Sequence, residues 1–409
     1  MKCKLLPLFF KEQNEREKEE FQSQLMELER LYPEAEFLPP VALVDFRAMC
    51  EEPGNDCEEK IDGIVFPQLL GAVFAHKEAL QKIDKPILVL TSSFGTVEMW
   101  DWEIVAYLRE ELRLNVFSPY HVDLAKTIMR AMAVKSDMAK GMKFVMFQDN
   151  PGEGMQAGIF KRFYWWEKEC VERLEKTFGI EIVYYSYQEL NQRAEKISDQ
   201  AADALWEQRQ VSHEDVDLQQ IRSAVKLYLA ITEVIREIKQ VKGVGCNCLN
   251  ESFLSKTTPC LAWDWLFEYD DIMWVCEGDL VSLISQYIMY NSCKRPTMTT
   301  NIYPFLLGLP ALKHEKIEAF PEVDGDVSNY ALGVHCGYFG LAPRAFCEKW
   351  TMRNKVLEIV DENAIVIDCQ LKTGPITLAK IHANMKKMTV IEASIVKYVQ
   401  YPIFTPSKV

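Results

Sequence analysis

The chain has 409 residues, of which 48% are hydrophobic and 26% charged, with a formal net charge of −14. That length exceeds one ordinary core, so two or three domains are expected, and the composition is that of a globular chain rather than a disordered or membrane-embedded one. The acidic balance argues against a nucleic-acid surface, which needs a basic patch for phosphate.

The opening stretch, "CKLLPLFF", predicts a strand, and "EREKEEFQSQLMELERLY" a helix with Phe21, Leu25, Leu28 and Leu31 on one face. This start matches neither a signal peptide nor a membrane span. Further strands are expected at "DGIVFPQLL", "KPILVLTSS" and "LNVFSPY", separated by helices at "GAVFAHKEALQKI" and "WDWEIVAYLREEL". Alternating strands and helices with unbroken apolar strands predict a parallel sheet covered on both faces. The pattern restarts at "MKFVMFQDNPGEGM", continues through an aromatic helix "FKRFYWWEKECVERLEKTFG" and a strand "IEIVYYSY", and enters a charged helical region from about Gln188 to Lys242 that is expected to cross the surface. "VGCNCLN", a helix through "CLAWDWLFEY" and the strand "IMWVCEGD" complete this second unit. From about Arg295 the texture turns β-rich, with Gly and Asp turns, in "PTMTTNIYPF", "YALGVHCGYFG", "VLEIVDENAIVIDCQL" and "MTVIEASIVKYVQY". The expected architecture is two consecutive doubly wound, Rossmann-like α/β domains, 1–140 and 141–295, followed by a β-rich, barrel-like domain, 296–409.

Twelve cysteines are spread through the chain rather than set in a disulfide framework. Cys246, Cys260, Cys276 and Cys369 sit in or beside apolar runs, where a thiol behaves as a small hydrophobe, so a reducing cytoplasm is the expected home. Cys246-x-Cys248 with Cys260 fits no zinc spacing, and "QDNPGEGMQ" is neither a P-loop nor a dinucleotide fingerprint. Ligands of open α/β sheets bind outside the carboxyl ends of the strands, and Glu277 and Asp279 stand at such an end after "IMWV". Gly278 between them permits a tight turn; Asp279 is also well placed to cap the helix "LVSLISQYIMY". His335, in "GVHCGYFG", suits a strand end opening on a pocket, whereas His76, His121, His213, His314 and His382 lie in helical or charged contexts. Trp100 and Trp102, and Trp165 and Trp166 in "FYWWE", can stack on a sugar or pack in a core or subunit interface.

Taken in order, "KPILVLTSSFG", "MFQDNPGEGMQ", "CEGDLVSLIS" and "GPITLAKI" resemble the L-fucose and L-arabinose isomerase superfamily. The resemblance implies aldose–ketose isomerisation through an enediol, with a divalent cation (Mn²⁺ or Mg²⁺) holding neighbouring sugar oxygens. It places the first metal-binding and catalytic glutamate on Glu277 and the second carboxylate position on Asn301, a neutral amide. His335 corresponds to the histidine of the arabinose branch, and the further family histidine has no counterpart after His382. Asp279 is a weaker acid/base candidate, Glu251 or Asp279 could supply the missing negative charge, and Asn301, His335 and Trp102 are the substrate-contact candidates. The resemblance further implies a small-molecule sugar partner and a homo-oligomer, trimer or hexamer, while charge and hydropathy point to no nucleic-acid and no membrane partner. The alternatives are a sugar-binding or regulatory paralogue without turnover, favoured by Asn301, and another lyase or epimerase reaction on the same scaffold.

Overall fold

Strand β1 (Cys3–Phe9) buries Leu5, Leu6 and Leu8, so successive side chains sink into both faces and the strand must lie inside a covered sheet. A computed structural model describes residues 2–10, 13–46, 61–69, 71–149, 168–251, 254–305, 320–335, 342–354 and 365–399. The chain divides into two compact units, Met1–Met138 with Asn291–Lys294, and Ala139–Tyr290 with Arg295–Val409.

In the first unit, the helix Glu15–Leu31 starts at a capping box. Asn14 accepts from the Glu17 amide at 3.0 Å, and the Glu17 carboxylate accepts from the Asn14 amide at 2.9 Å. Phe21, Leu25 and Leu28 recur at helical spacing and are buried. The strands β2 (Ala35–Phe37), β3 (Val41–Ala42), β4 (Gly63–Phe66), β5 (Ile87–Val89) and β6 (Val116–Phe117) join β1 in a parallel sheet of order β2-β1-β4-β5-β6, with β3 on the end of β1. The expected helix at "WDWEIVAYLREEL" is a 3₁₀ turn at Met99–Asp101, an α-helix at Trp102–Ala106 and a π turn at Tyr107–Glu111.

The second unit opens with β7 (Lys143–Phe147) and β8 (Glu181–Tyr185), and continues through β9 (His213–Glu214), β10 (Val241–Gly245) and β11 (Met273–Val275). Four of these form a parallel sheet of order β11-β10-β7-β8. Phe147 stacks on Trp263 of the helix Cys260–Asp270 at 6.4 Å, and Phe144 meets Tyr287 of the helix Leu280–Cys293 edge-on at 6.1 Å. Three residues apart on a strand, the two phenylalanines face opposite ways, so helices cover both sides.

The charged region differs from its expectation in two respects. The helix Leu218–Ile238 buries Ile221, Ala224, Val225, Leu227, Tyr228, Ala230, Ile231 and Val234, because its apolar stripe repeats at helical spacing between charged flanks. The helical region also ends before Lys242, since β10 already begins at Val241.

The C-terminal strands form three ladders. β12 (Asn301–Pro304) pairs antiparallel with β13 (Ala331–Val334), β14 (Cys347–Asn354) with β15 (Ile365–Leu371), and β16 (Gly374–Ile381) with β17 (Met388–Ile395). β9 adds to β14 in parallel. Trp350 on β14 donates its indole N–H to Asp264 Oδ2 at 3.1 Å, and Arg353 bridges Glu214 and Asp368 at 2.6 and 2.7 Å. β14 and β15 bury Cys347, Met352, Ile365, Ile367, Cys369 and Leu371, whereas β12, β16 and β17 are mostly half-buried or exposed.

Candidate functional site

β8 lies on one side of β7, and the chain crosses back to place β10 on the other, so the winding of the second sheet reverses between β7 and β10. Such a switch point opens a crevice at the carboxyl ends of the two strands. The register sets Gly245 beside Met146 of β7 and beside Val275 of β11. Two residues beyond these partners come Gln148, Asn247 and Glu277, each just past the carboxyl end of its strand.

Glycine in β10 makes this row possible. A Cβ on Gly243 would lie 2.7 Å from a Phe144 ring carbon and 3.1 Å from Leu283, and one on Gly245 would lie 2.6 Å from a Val275 methyl. The neighbours' side chains thus lean across β10 beneath the helix Leu280–Cys293, and Asn247 follows two residues past the second glycine.

Backbone contacts hold the ends of the strands. The Gln148 amide donates to Tyr185 O at 3.0 Å, and the Gln188 amide donates to Asp149 Oδ2 at 2.9 Å, tying the end of β7 to the end of β8. From the other side, the Asp149 amide donates to Glu251 Oε2 at 3.0 Å. Glu251, in the short helix Cys248–Glu251 after β10, is buried and spends a carboxylate oxygen bridging the switch point.

Gln148 and Asn247 are 6% and 0% exposed. Among the described residues, nothing hydrogen-bonds Gln148 Oε1, Asn247 Oδ1 or Asn247 Nδ2. A buried polar group left without a partner costs about 1–3 kcal/mol, so three such atoms in one row need an explanation. Glu277, third in the row, is buried, and its backbone is left-handed at φ 59°, followed by Gly278 at φ 73°. For a glutamate that conformation costs about 1–3 kcal/mol, and such outliers cluster at functional sites.

The other acidic candidate has a structural position. Asp279 accepts from the Ser282 amide at 2.9 Å and from the Ser282 hydroxyl at 2.7 Å, the geometry of a helix N-cap. Lys380 of β16 reaches the same Asp279 carboxylate and donates to the Ser282 hydroxyl at 2.8 Å, while the Ile381 amide donates to Ser285 Oγ at 3.0 Å. Asp279 is therefore occupied as the clasp between this helix and the β16–β17 hairpin.

Asn301 and His335 are neighbours by register: Asn301 opens β12 opposite Val334, the residue before His335. His335 is buried, and its Nε2 has no hydrogen-bond partner among the described residues; Asn301 is half-buried. A hard divalent cation is held by several oxygen ligands, mostly carboxylates. Among the described residues no three His, Cys, Asp or Glu side chains converge to hold a metal ion. With Asn301 neutral and Asp279 bonded to Lys380, the described donor set does not fit a resident Mn²⁺ or Mg²⁺.

Trp102 belongs to the first unit and is 54% exposed, beside Trp100 at 79%. Trp165, Trp166, Cys336 and the segment "NPGEGMQ" lie outside the described residues. Sequence reading passed over Gln148 and Asn247, although each stands just beyond a strand, as Glu277 does; applying the strand-end rule to uncharged residues would have found them. No described helix is long and apolar enough to cross a membrane. No known protein family matches the chain, and no characterised protein matches it either.

Proposed function

We propose that the second unit binds a small, neutral, hydroxyl-rich molecule of the sugar class across the ends of β7, β10 and β11. The observation that carries this reading is the buried row Gln148–Asn247–Glu277, with three amide atoms lacking partners among the described residues. A carboxamide offers a donor and an acceptor, and so does a hydroxyl, so vicinal hydroxyls match such a row. The row contains one carboxylate and no cation, which disfavours a phosphorylated or carboxylated ligand. This is the sugar-binding reading of the isomerase resemblance, and the neutral Asn301 supports it. Calorimetric titration with a panel of free aldoses and ketoses tests it: at least one sugar gives saturable heat, and no heat from any member overturns the reading.

A second reading, isomerase turnover, is favoured by the left-handed backbone of Glu277. Its test is ketose formation from the same aldoses, with and without added Mn²⁺; product that disappears in Glu277→Gln would establish it. We also propose that the chain forms a homo-oligomer, supported by the exposed indoles of Trp100 and Trp102. Sedimentation velocity reads that directly: a monomer at micromolar concentration removes the proposal.

A further inference from the structure

Two thiols meet at the edge of the row. Cys248 Sγ and Cys276 Sγ lie 3.0 Å apart, from residues that directly follow Asn247 and directly precede Glu277. A disulfide is about 2.05 Å long, so closing this contact needs about 1 Å of approach, well within side-chain motion. The pair joins the ends of two adjacent strands, and bond formation would tie the start of the helix Cys248–Glu251 to the turn that carries Glu277.

We propose that Cys248 and Cys276 form a reversible disulfide under peroxide, a modification site on the rim of the candidate ligand row. Cys248 is half-buried while Cys276 is buried, so Cys248 is the thiol that an oxidant reaches first. The Cys248 thiolate attacks one peroxide oxygen and the O–O bond breaks, leaving a sulfenic acid and one water once the departing hydroxide is protonated. The Cys276 sulfur then attacks the sulfenic sulfur, the S–O bond breaks, and a second water leaves with the Cys276 proton. Two thiols lose two electrons and two protons, and the peroxide is reduced to two waters; a dithiol reductant reverses the bond by exchange.

The neighbouring thiols are not equivalent. Cys246 is fully buried, and burial, with Cys248, Glu251 and Cys260 adding to it, holds its thiol well above the ordinary range. Cys260 is half-buried like Cys248, but desolvation pushes its thiol up to about 12. Since the thiolate is the reacting form, neither competes as the first nucleophile.

The test needs no sugar, so it is independent of the binding reading above. The full chain is treated with hydrogen peroxide, remaining thiols are alkylated, and the protein is digested without reductant for mass spectrometry. The expected result is one dominant cross-linked peptide pair joining Cys248 to Cys276, lighter than the two separate peptides by two hydrogens. It should disappear on addition of dithiothreitol and be absent in Cys248→Ser and Cys276→Ser. Oxidised protein in which both cysteines are still alkylated, or in which Cys248 is linked instead to Cys246 or Cys260, overturns the proposal. The wild-type map alone decides between these outcomes, so it holds even where a variant fails to fold.

Discussion

In the first unit the chain reverses its winding between β1 and β4; in the second it reverses between β7 and β10. The first switch point is filled: Phe10, just beyond β1, meets Phe66, the last residue of β4, edge to face at 4.9 Å, and both are buried. At the second, Gln148 and Asn247 occupy the corresponding strand ends, equally buried, with polar atoms that no described residue satisfies. One topology thus supports a plugged crevice and a polar one. Architecture offers the position of a site, and the two or three side chains at the strand ends decide whether it is used.

The comparison breaks if the two positions respond alike to substitution. Phe66→Ala removes half of an aromatic plug and leaves a cavity, so it is expected to lower the stability of the first unit by about 3–5 kcal/mol. Native-state hydrogen exchange of the β1, β4 and β5 amides would measure this. Asn247→Leu should act with the opposite sign. It replaces an amide by an apolar group of similar shape and relieves two unsatisfied atoms, raising the stability of the second unit by about 1–3 kcal/mol in the absence of ligand.

A pH series sharpens the contrast further. Asp264 is buried beside Trp350, and desolvation holds its carboxyl well above the ordinary aspartate range. A carboxyl whose folded pKa is raised keeps its proton in the native state after the unfolded chain has lost it. Its contribution is therefore full below the unfolded pKa and is lost as pH rises through the folded one. Exchange of the β14 and β15 amides should accelerate as pH rises from the aspartate range towards neutrality beyond the intrinsic rate, and Asp264→Asn should abolish that excess. The smallest effect belongs to Asp279. Asp279→Ala removes a helix cap and a partner of Lys380, for a loss of about 1 kcal/mol, and Asp279→Asn should recover most of the capping part. A much larger loss, or a selective loss of ligand binding, would show that Asp279 does more than start its helix.

The strand-end position of Glu277 is legible because a carboxylate after an apolar strand is visible in one line of sequence, and the cap formed by Asp279 because Asp at a helix start is a frequent cap. Gln148 and Asn247 are not, since their significance is the lack of a partner once buried, a property of the assembled sheet. Asn301 and His335 are 34 positions apart in the chain, and only the antiparallel register of β12 and β13 makes them neighbours. The helix Leu218–Ile238 buries an apolar stripe that is masked in the sequence by the charged residues interleaved with it. Trp350 on β14 bonds Asp264 and Arg353 pairs with Glu214, long-range contacts that no local pattern announces.

The proposed sugar site requires that the buried amides of the second switch point stay unsatisfied until a neutral hydroxylated ligand arrives. Titrating a bound sugar into the wild-type chain and into Asn247→Leu, with thermal unfolding of both, tests it most directly. Saturable binding by the wild type, its loss in Asn247→Leu, and a higher unfolding temperature for the ligand-free variant are expected. Equal binding by both proteins, or a variant that is less stable than the wild type, would contradict the proposed site.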